Sequence, residues 1–219
     1  MHRVDYFLNI AQSCGIEAQG RDYEFFPCPK DRDYIQDLLE DCAVKKDEFL
    51  VVINPGGNWE LKRWPRENFA QLSDQLIQRY QARVIITGAL KDMPLARDIA
   101  ARMKHKPLIF CGKTSLGQLA ALMARVDLVI ANDSGPMHIA VSQGAKVIAL
   151  FGPTSVEITG PCGQGQSVVI QKDVHCLLPC YKLDCRRNRC MEAISVEEVL
   201  RAAERLGINK VLAKKDEDR

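Results

Sequence analysis

The sequence lacks the features that mark several classes of protein. No apolar run approaches the roughly 20 residues needed to cross a bilayer, so no transmembrane segment is expected. The first residues, Met1 to Asp5, lack the charged and apolar regions of a signal peptide, which favours a cytoplasmic protein. The formal net charge is only +2, without the basic excess of a nucleic-acid-binding protein, so no nucleic-acid partner is expected.

Two catalytic signatures are also missing. The glycine-containing loop at residues 54–65 does not end in the Gly-Lys-Ser/Thr triplet of a P-loop. Ser134 is not set in a Gly-x-Ser-x-Gly elbow, and His138 follows it too closely on the same predicted helix to act as its base. A hydrolase built on Ser134 is therefore excluded.

From Phe49 onward the sequence alternates short apolar runs with amphipathic segments. This pattern is typical of a parallel sheet with flanking helices, whose strands are buried on both faces. It predicts an α/β fold with a Rossmann-like parallel sheet. The predicted strands lie at residues 50–53, 84–87, 108–110, 128–130, 147–150 and 168–170.

Helices are predicted between the strands and at both ends of the chain. Near the N-terminus they are expected at residues 4–11 and 35–42, in a segment that packs against the main domain as a lead-in. Ser115 with Gln118, and Ser195 with Glu198, have the spacing of capping boxes and predict two helix starts.

The turn Asp133-Ser134-Gly135 is the most informative stretch, because it joins an apolar strand to a helix that is predicted to begin at Pro136. The first N–H groups of a helix lack partners and carry partial positive charge, so they favour a phosphate. Gly135 allows a ligand to approach the backbone closely. Asp133 and His138 add groups that hydrogen-bond a sugar or nucleotide; the alternative is a capped turn with a buried histidine.

Three more loops follow predicted strands. The first contains Gly56, Gly57 and Asn58, followed by the cations Lys62 and Arg63, which suit a phosphate. The others span residues 87–92 and 112–115. Because the carboxyl ends of parallel strands lie at one edge of a sheet, these loops together predict a nucleotide cleft.

Several separate motifs resemble glycosyltransferase family nine, and more narrowly the lipopolysaccharide heptosyltransferases of the heptosyltransferase II type. They are Pro55-Gly56-Gly57-Asn58 with Lys62-Arg63-Trp64-Pro65, Asn132-Asp133-Ser134-Gly135-Pro136-Met137-His138, and Phe151-Gly152-Pro153-Thr154 with Thr159-Gly160-Pro161. The resemblance implies an inverting, metal-independent transfer of heptose from ADP-heptose to the inner core of lipopolysaccharide.

The resemblance also implies a GT-B fold, of which this chain would be the C-terminal, donor-binding half. Residues 1–47 would end the N-terminal domain and form the connecting segment, residues 48–207 would bind the nucleotide-sugar, and residues 208–219 would form a charged tail. The acceptor would be the lipopolysaccharide core at the cytoplasmic membrane surface. The resemblance leaves open whether the protein associates peripherally with the inner membrane. No residue here matches the family's general base, so a non-catalytic nucleotide-sugar binding module is the alternative.

The resemblance carries a set of substrate-binding residues onto this chain: Gly57, Asn58, Lys62, Thr114, Asp133, Ser134, Gly135, Pro136, Met137 and His138. Lys62 would be catalytic, stabilising the leaving diphosphate, and Thr114 would lie near the adenine or ribose. Asp133 would accept hydrogen bonds from heptose hydroxyls, and His138 would face either the ligand or the core. The helix start and Lys62 take the place of a divalent ion, so the resemblance implies no metal or cofactor.

The sequence contains nine cysteines, four of them clustered as Cys176, Cys180, Cys185 and Cys190. Close thiolates suit zinc or an iron–sulfur cluster, but the cluster contains no Cys-x-x-Cys knuckle. The sequence leaves three roles open for these cysteines: structural thiols, a labile disulfide or a metal site. The basic residues between them either face solvent or bind an anion. The other cysteines in helical or strand-like patterns are predicted to be buried: Cys14, Cys42 and Cys111.

Overall fold

A computed structural model describes residues 1–17, 20–163, 165–180, 182 and 185–208. Its centre is a six-stranded sheet in which every neighbouring pair of strands is parallel. The strands are β1 (Leu50–Asn54), β2 (Arg83–Ile86), β3 (Leu108–Ile109), β4 (Leu128–Asn132), β5 (Val147–Phe151) and β6 (Ser167–Gln171). All six predicted strands are confirmed, with shifts of at most two residues at their ends.

The strand order is β3-β2-β1-β4-β5-β6, the order of doubly wound dinucleotide-binding folds. The Rossmann-like fold class is therefore confirmed. In this order the chain reverses its winding direction between β1 and β4, which leaves a crevice at the carboxyl ends of these two strands. Ligands of open α/β sheets bind in such crevices.

The central strands are apolar because helices cover both faces of the sheet. Every residue of β1, β4 and β5 is buried. Along β1, Val51 and Ile53 pack into one core cluster, and Leu50 and Val52 pack into the other. This alternation is the two-residue period of a strand, and it explains why no polar face is visible in the sequence.

Helices α3, α4 and α9 contribute buried residues to one core cluster, and α2, α5 and α6 contribute to the other. The helices are α1 (Arg3–Ser13), α2 (Pro29–Asp41), α3 (Arg66–Tyr80), α4 (Met93–Arg102), α5 (Leu116–Met123), α6 (Gly135–Ser142), α7 (Val156–Thr159), α8 (Arg189–Glu192) and α9 (Val196–Arg205). Both predicted capping boxes are present, at Ser115 for α5 and at Ser195 for α9. None of the helices in the described ranges has the length and apolar character needed to span a membrane.

The N-terminal segment packs unevenly on this core. Helix α2 buries Ile35 and Leu39, whereas α1 has no buried residue. Cys14, at the end of α1, is exposed, so its predicted burial is wrong, whereas Cys111 is buried as expected. At the other end, Ile208 is fully buried in the core although it was assigned to the charged tail. The rest of that tail, residues 209–219, lies outside the described residues.

Candidate functional site

A cavity of about 490 Å³ lies at the crevice between β1 and β4. The loops after β1, β2, β3 and β4 all contribute to its lining, as the sequence pattern predicted. Most of the predicted site residues meet here: Gly57, Asn58, Lys62, Thr114, Asp133, Ser134, Gly135, Pro136 and His138.

Met137 is the exception among the predicted site residues. Its side chain has no exposed surface and packs in the core beneath the sheet, and it does not line the cavity. Adjacent residues of a helix point about 100° apart, so when His138 faces the cavity the preceding Met137 points into the core. The assignment of Met137 to the substrate-binding set is corrected to a packing role.

Helix α6 begins at the cavity wall without a side-chain cap. Its first residue is Gly135, so Pro136 is second rather than first, although both lie in the turn where N–H groups lack helical partners. The hydroxyl of the N-cap residue Ser134 makes no capping hydrogen bond. Apart from its chain neighbours and the backbone of its own helix, no heavy atom lies within 4 Å of the position that a Cβ on Gly135 would occupy. The positive end of the helix is therefore open to a ligand.

Lys62 and Asp133 form an ion pair at the side of this helix start. Lys62 Nζ donates to Asp133 Oδ2 at 2.8 Å. The Asp133 side chain is only 5% exposed, and that of Lys62 is 24% exposed. Thr159, from the end of α7, adds a longer hydrogen bond to the same oxygen at 3.4 Å. The two residues were assigned separate roles from the sequence, and the structure joins them in one charged unit.

Asn132 fixes the two loops that carry this ion pair. Its side-chain oxygen accepts a hydrogen bond from the Trp64 N–H at 3.0 Å, and its amide donates to the carbonyl of Pro55 at 2.9 Å. Trp64 is itself buried and donates its indole N–H to the carbonyl of Ile194 at 2.9 Å. Sequence reasoning missed this role, although a polar residue that ends an apolar strand was the available signal.

Arg63 does not supply the phosphate-binding charge predicted for it. Its guanidinium donates to the carbonyl of Gly57 at 2.7 and 3.2 Å, and the residue is absent from the cavity lining. Adjacent residues in this irregular turn point in different directions, so only Lys62 of the two faces the cavity. Arg63 instead holds the glycine loop in its folded form.

His138 faces the cavity and is also anchored from outside it. The Tyr23 hydroxyl lies 2.8 Å from His138 Nδ1, and the Cys162 N–H donates to the Tyr23 oxygen at 3.4 Å. We assign the Tyr23 hydroxyl proton to the bond with Nδ1, which places the proton of the neutral His138 ring on Nε2. Burial lowers the pKa of His138, and the neighbouring Asp133 opposes this shift. Tyr23 gave no sequence signal, because it lies in an irregular segment 115 positions away.

The turn after β2 contributes two further polar residues. Lys91 Nζ donates to Asn58 Oδ1 at 2.8 Å, and both residues line the cavity. Asp92 is 8% exposed and accepts a hydrogen bond from the Ala89 N–H at 2.9 Å. A Cβ on Gly56 would lie 2.9 Å from the Asp92 carboxylate, so glycine is needed there for the close approach of the two loops.

The cysteine cluster forms no bridge among the described residues, where all nine cysteines are free. No group of three or more His, Cys, Asp or Glu side chains that could hold a metal occurs in this part of the chain. Cys185 donates to the carbonyl of Arg187 at 3.1 Å, and Cys190 donates to Asn188 Oδ1 at 3.4 Å. Burial raises the pKa of the Cys190 thiol, with a smaller contribution from Cys185 and Cys176. The thiols of Cys185 and Cys190 thus bond within their own loop.

Known proteins share both the sequence pattern and the architecture. Lipooligosaccharide heptosyltransferase 2 of Campylobacter jejuni (serotype O:6) is 30% identical over 213 residues, which cover 94% of this chain and 64% of that protein. The crystal structure of a family 9 glycosyl transferase from Veillonella parvula superimposes with a TM-score of 0.80 at 29% identity, covering 94% of this chain and 60% of that one.

The Escherichia coli ADP-heptose lipopolysaccharide heptosyltransferase II has the same fold, with a TM-score of 0.71 at 23% identity over 85% of this chain and 54% of that one. This chain therefore spans less than two thirds of the length of each of these relatives. Residues 4–190 match the sequence model described as glycosyltransferase family 9 (heptosyltransferase). Because that match covers most of its length, the chain belongs to glycosyltransferase family 9.

Proposed function

We propose that this chain binds ADP-heptose and serves the transfer of heptose to the inner core of lipopolysaccharide, without a metal ion and with inversion at the anomeric carbon. The observation that carries the proposal is the Lys62–Asp133 ion pair, which lines one cavity together with the uncapped start of α6. A diphosphate needs positive charge and a sugar needs hydrogen-bonding groups, and this cavity contains both. Two relatives, a lipooligosaccharide heptosyltransferase and an ADP-heptose lipopolysaccharide heptosyltransferase, support the same donor and class of acceptor.

The proposal assigns this chain the donor side of the reaction. The chain covers 64% of its Campylobacter relative, and its sheet has the dinucleotide-binding order, so we assign residues 48–207 to the donor half of a GT-B fold. Residues 1–47 then form the end of the acceptor domain and the connecting segment. The acceptor reaches the site at the cytoplasmic surface of the inner membrane, where the protein associates peripherally.

In the proposed reaction an acceptor hydroxyl oxygen bonds to the anomeric carbon of heptose. The bond from that carbon to the diphosphate oxygen breaks, and its electron pair leaves with ADP. Lys62 and the start of α6 stabilise the charge that develops on the leaving diphosphate, an effect worth several kcal/mol in a preorganised site. Asp133 holds Lys62 through Oδ2 and accepts from a sugar hydroxyl through Oδ1. The acceptor proton passes to a base that is not among the residues assigned here.

Calorimetric titration with ADP and ADP-heptose tests donor binding. Wild-type chain should bind both, and Lys62→Ala should weaken ADP binding about tenfold or more, because a charge-assisted hydrogen bond is lost. Lys46→Ala, which removes an exposed lysine outside the cavity, is the matched control and should bind like wild type. Failure of the wild-type chain to bind either nucleotide would refute the proposal.

A turnover assay separates a transferase from a non-catalytic binding module. Heptose transfer to an inner-core acceptor is measured with the chain alone and with a separately expressed acceptor domain of a relative. Transfer that depends on Lys62 supports the enzyme assignment. Nucleotide-sugar binding without transfer under either condition supports the binding module instead.

A further inference from the structure

The cavity contains a second cation, Lys91, whose electrostatic setting differs from that of Lys62. The ammonium group of Lys62 is balanced by the Asp133 carboxylate at 2.8 Å. Lys91 Nζ instead contacts the neutral amide oxygen of Asn58 at 2.8 Å, and no ion pair within the described ranges joins it to an acidic side chain. The adjacent Asp92 uses Oδ2 to accept from the Ala89 N–H. Lys91 is thus a cation of this cavity that forms no ion pair among the described residues, although the Asp92 carboxylate also lines the cavity.

The position of Lys91 suits the middle of an extended ligand. Its bond to Asn58 links the turn after β2 with the loop after β1, between two other parts of the lining. In the strand order β3-β2-β1-β4 the segment after β3 lies on one side, and its Thr114 and Leu116 present surface for a nucleoside. On the other side are Asp133 and the start of α6.

A nucleoside diphosphate carries more negative charge than the Lys62–Asp133 unit can balance. The carboxylate of Asp133 cancels the lysine charge, so that unit adds little net positive potential, and the helix start supplies only about half an elementary charge. The Lys91 ammonium group forms no ion pair in the described part of the chain, so it is a second positive group in the same cavity that can contact a phosphate oxygen directly. The present partner of Lys91 is the neutral amide of Asn58. Lys91 can therefore bind a phosphate oxygen instead without leaving a buried carboxylate unpaired.

We infer that Lys91 is a second anchor for the diphosphate of the donor, with Asn58 as the positioning residue that holds its ammonium group at the cavity wall. This inference rests on the proposed function, since it assigns a further contact to the same nucleotide. It also divides the work between the cations. Lys62 both binds the diphosphate and stabilises the charge at the reacting end, whereas Lys91 contributes affinity for the diphosphate only.

The test is binding of ADP and of adenosine to the full chain, at low and at high salt. Lys91→Ala should weaken ADP binding about threefold to tenfold at low salt, since Lys91 is an exposed lysine, and should leave adenosine binding unchanged. The loss should shrink at high salt, because screening already weakens this contact in the wild type. Asn58→Ala should cause a smaller loss, because the charge of Lys91 stays in place.

Two further variants keep the test decisive. Lys91→Gln retains a polar chain of similar length without the charge, and should reproduce the salt-dependent loss. Lys46→Ala removes an equal charge from an exposed site outside the cavity and should change nothing. Urea unfolding of each variant checks that the fold is intact.

The outcomes separate this inference from the proposed function. If the wild-type chain fails to bind ADP, the proposed function is overturned and this inference with it. If the wild-type chain binds ADP and Lys91→Ala binds it equally well, only the role of Lys91 is overturned. Equal weakening of ADP and adenosine would also overturn it, because that result indicates a change in the shape of the cavity.

Discussion

Lys62 and Asp133 are 71 positions apart in the chain, and the structure places the ammonium of one 2.8 Å from the carboxylate of the other. Each comes from a loop at the carboxyl end of a central strand, β1 and β4, where the winding of the sheet reverses. Asp133 is nearly buried, so its carboxylate needs a charged partner, and Lys62 provides it. The same carboxylate therefore both positions Lys62 and balances its charge.

A double-mutant cycle should show that Lys62 and Asp133 are energetically coupled. Lys62→Ala leaves a nearly buried carboxylate without its cation, so we expect a loss of about 1–3 kcal/mol in the free energy of unfolding. The double variant with Asp133→Ala should lose less than the sum of the single losses, with a coupling of about 1–2 kcal/mol in urea unfolding. The exposed pair Arg21–Asp5 is the control and should show no more than about 0.5 kcal/mol. Additive losses at Lys62 and Asp133 would contradict the ion pair.

Tyr23→Phe should release the ring of His138 from a single tautomer. The hydroxyl that donates to Nδ1 is removed, so the proton of the neutral ring is no longer confined to Nε2. Nitrogen-15 NMR of the imidazole should show one tautomer in the wild type and a mixture in the variant. Tyr6→Phe, at an exposed tyrosine on α1, should leave the His138 spectrum unchanged. An unchanged spectrum in Tyr23→Phe would show that Tyr23 does not set the tautomer.

The contribution of Glu198 to stability should depend on pH. Its hydrogen bond from Lys172 and those from Ser195 lower its pKa from 4.5 to about 2. A carboxyl with a lowered pKa stabilises the fold fully above its unfolded value, and that contribution disappears as the pH falls toward 2. Because the Glu198 side chain is 29% exposed, we expect Glu198→Gln to cost only about 1 kcal/mol at pH 7.

Urea unfolding at pH 7 and at pH 3 measures this effect, and the cost of Glu198→Gln should be smaller at pH 3. Glu197→Gln is the matched control, because Glu197 lies in the same helical turn and is exposed. It should cost little at either pH. A cost for Glu198→Gln that does not change with pH would contradict the assigned pKa.

Substitutions of Met137 should separate packing from binding. Met137→Ala removes a fully buried side chain and should cost about 2–5 kcal/mol of the free energy of unfolding. Met137→Leu, which nearly conserves volume, should cost less than about 1.5 kcal/mol. Neither change should alter the ADP affinity of folded protein. A selective loss of ADP affinity in Met137→Leu would return Met137 to the substrate-binding set.

The sheet and its ligand-binding edge were predictable because their signals are local. Runs such as residues 50–53 and 147–150 are apolar at every position, which identifies strands covered on both faces. Loops with glycine, hydroxyl and cationic residues follow four of the strands, and parallel strands carry such loops to one edge. The positions that line the cavity were therefore largely predicted from the sequence.

The directions of individual side chains were less predictable. Arg63 turns back to the carbonyl of Gly57, and Met137 faces the core, although both lie within motifs that were assigned to binding. In the sequence, Lys91 is one polar residue of the loop at residues 87–92. Its place at the cavity is shown only by the structure, where it bonds to Asn58. In such short segments, a shift of one position along the chain changes the direction in which a side chain points. The composition of the segment does not show this direction.

The sequence by itself determined the fold class, the edge of the sheet that carries the cavity, and the resemblance to a glycosyltransferase family. These follow from periodicity and spacing, which depend on residues that are close together in the chain. Only the tertiary structure decided that Lys62 is paired with Asp133, that Asn132 holds their loops together, and that Tyr23 bonds to His138. Each of these contacts joins residues more than 60 positions apart, so each depends on how the whole sheet brings its loops together.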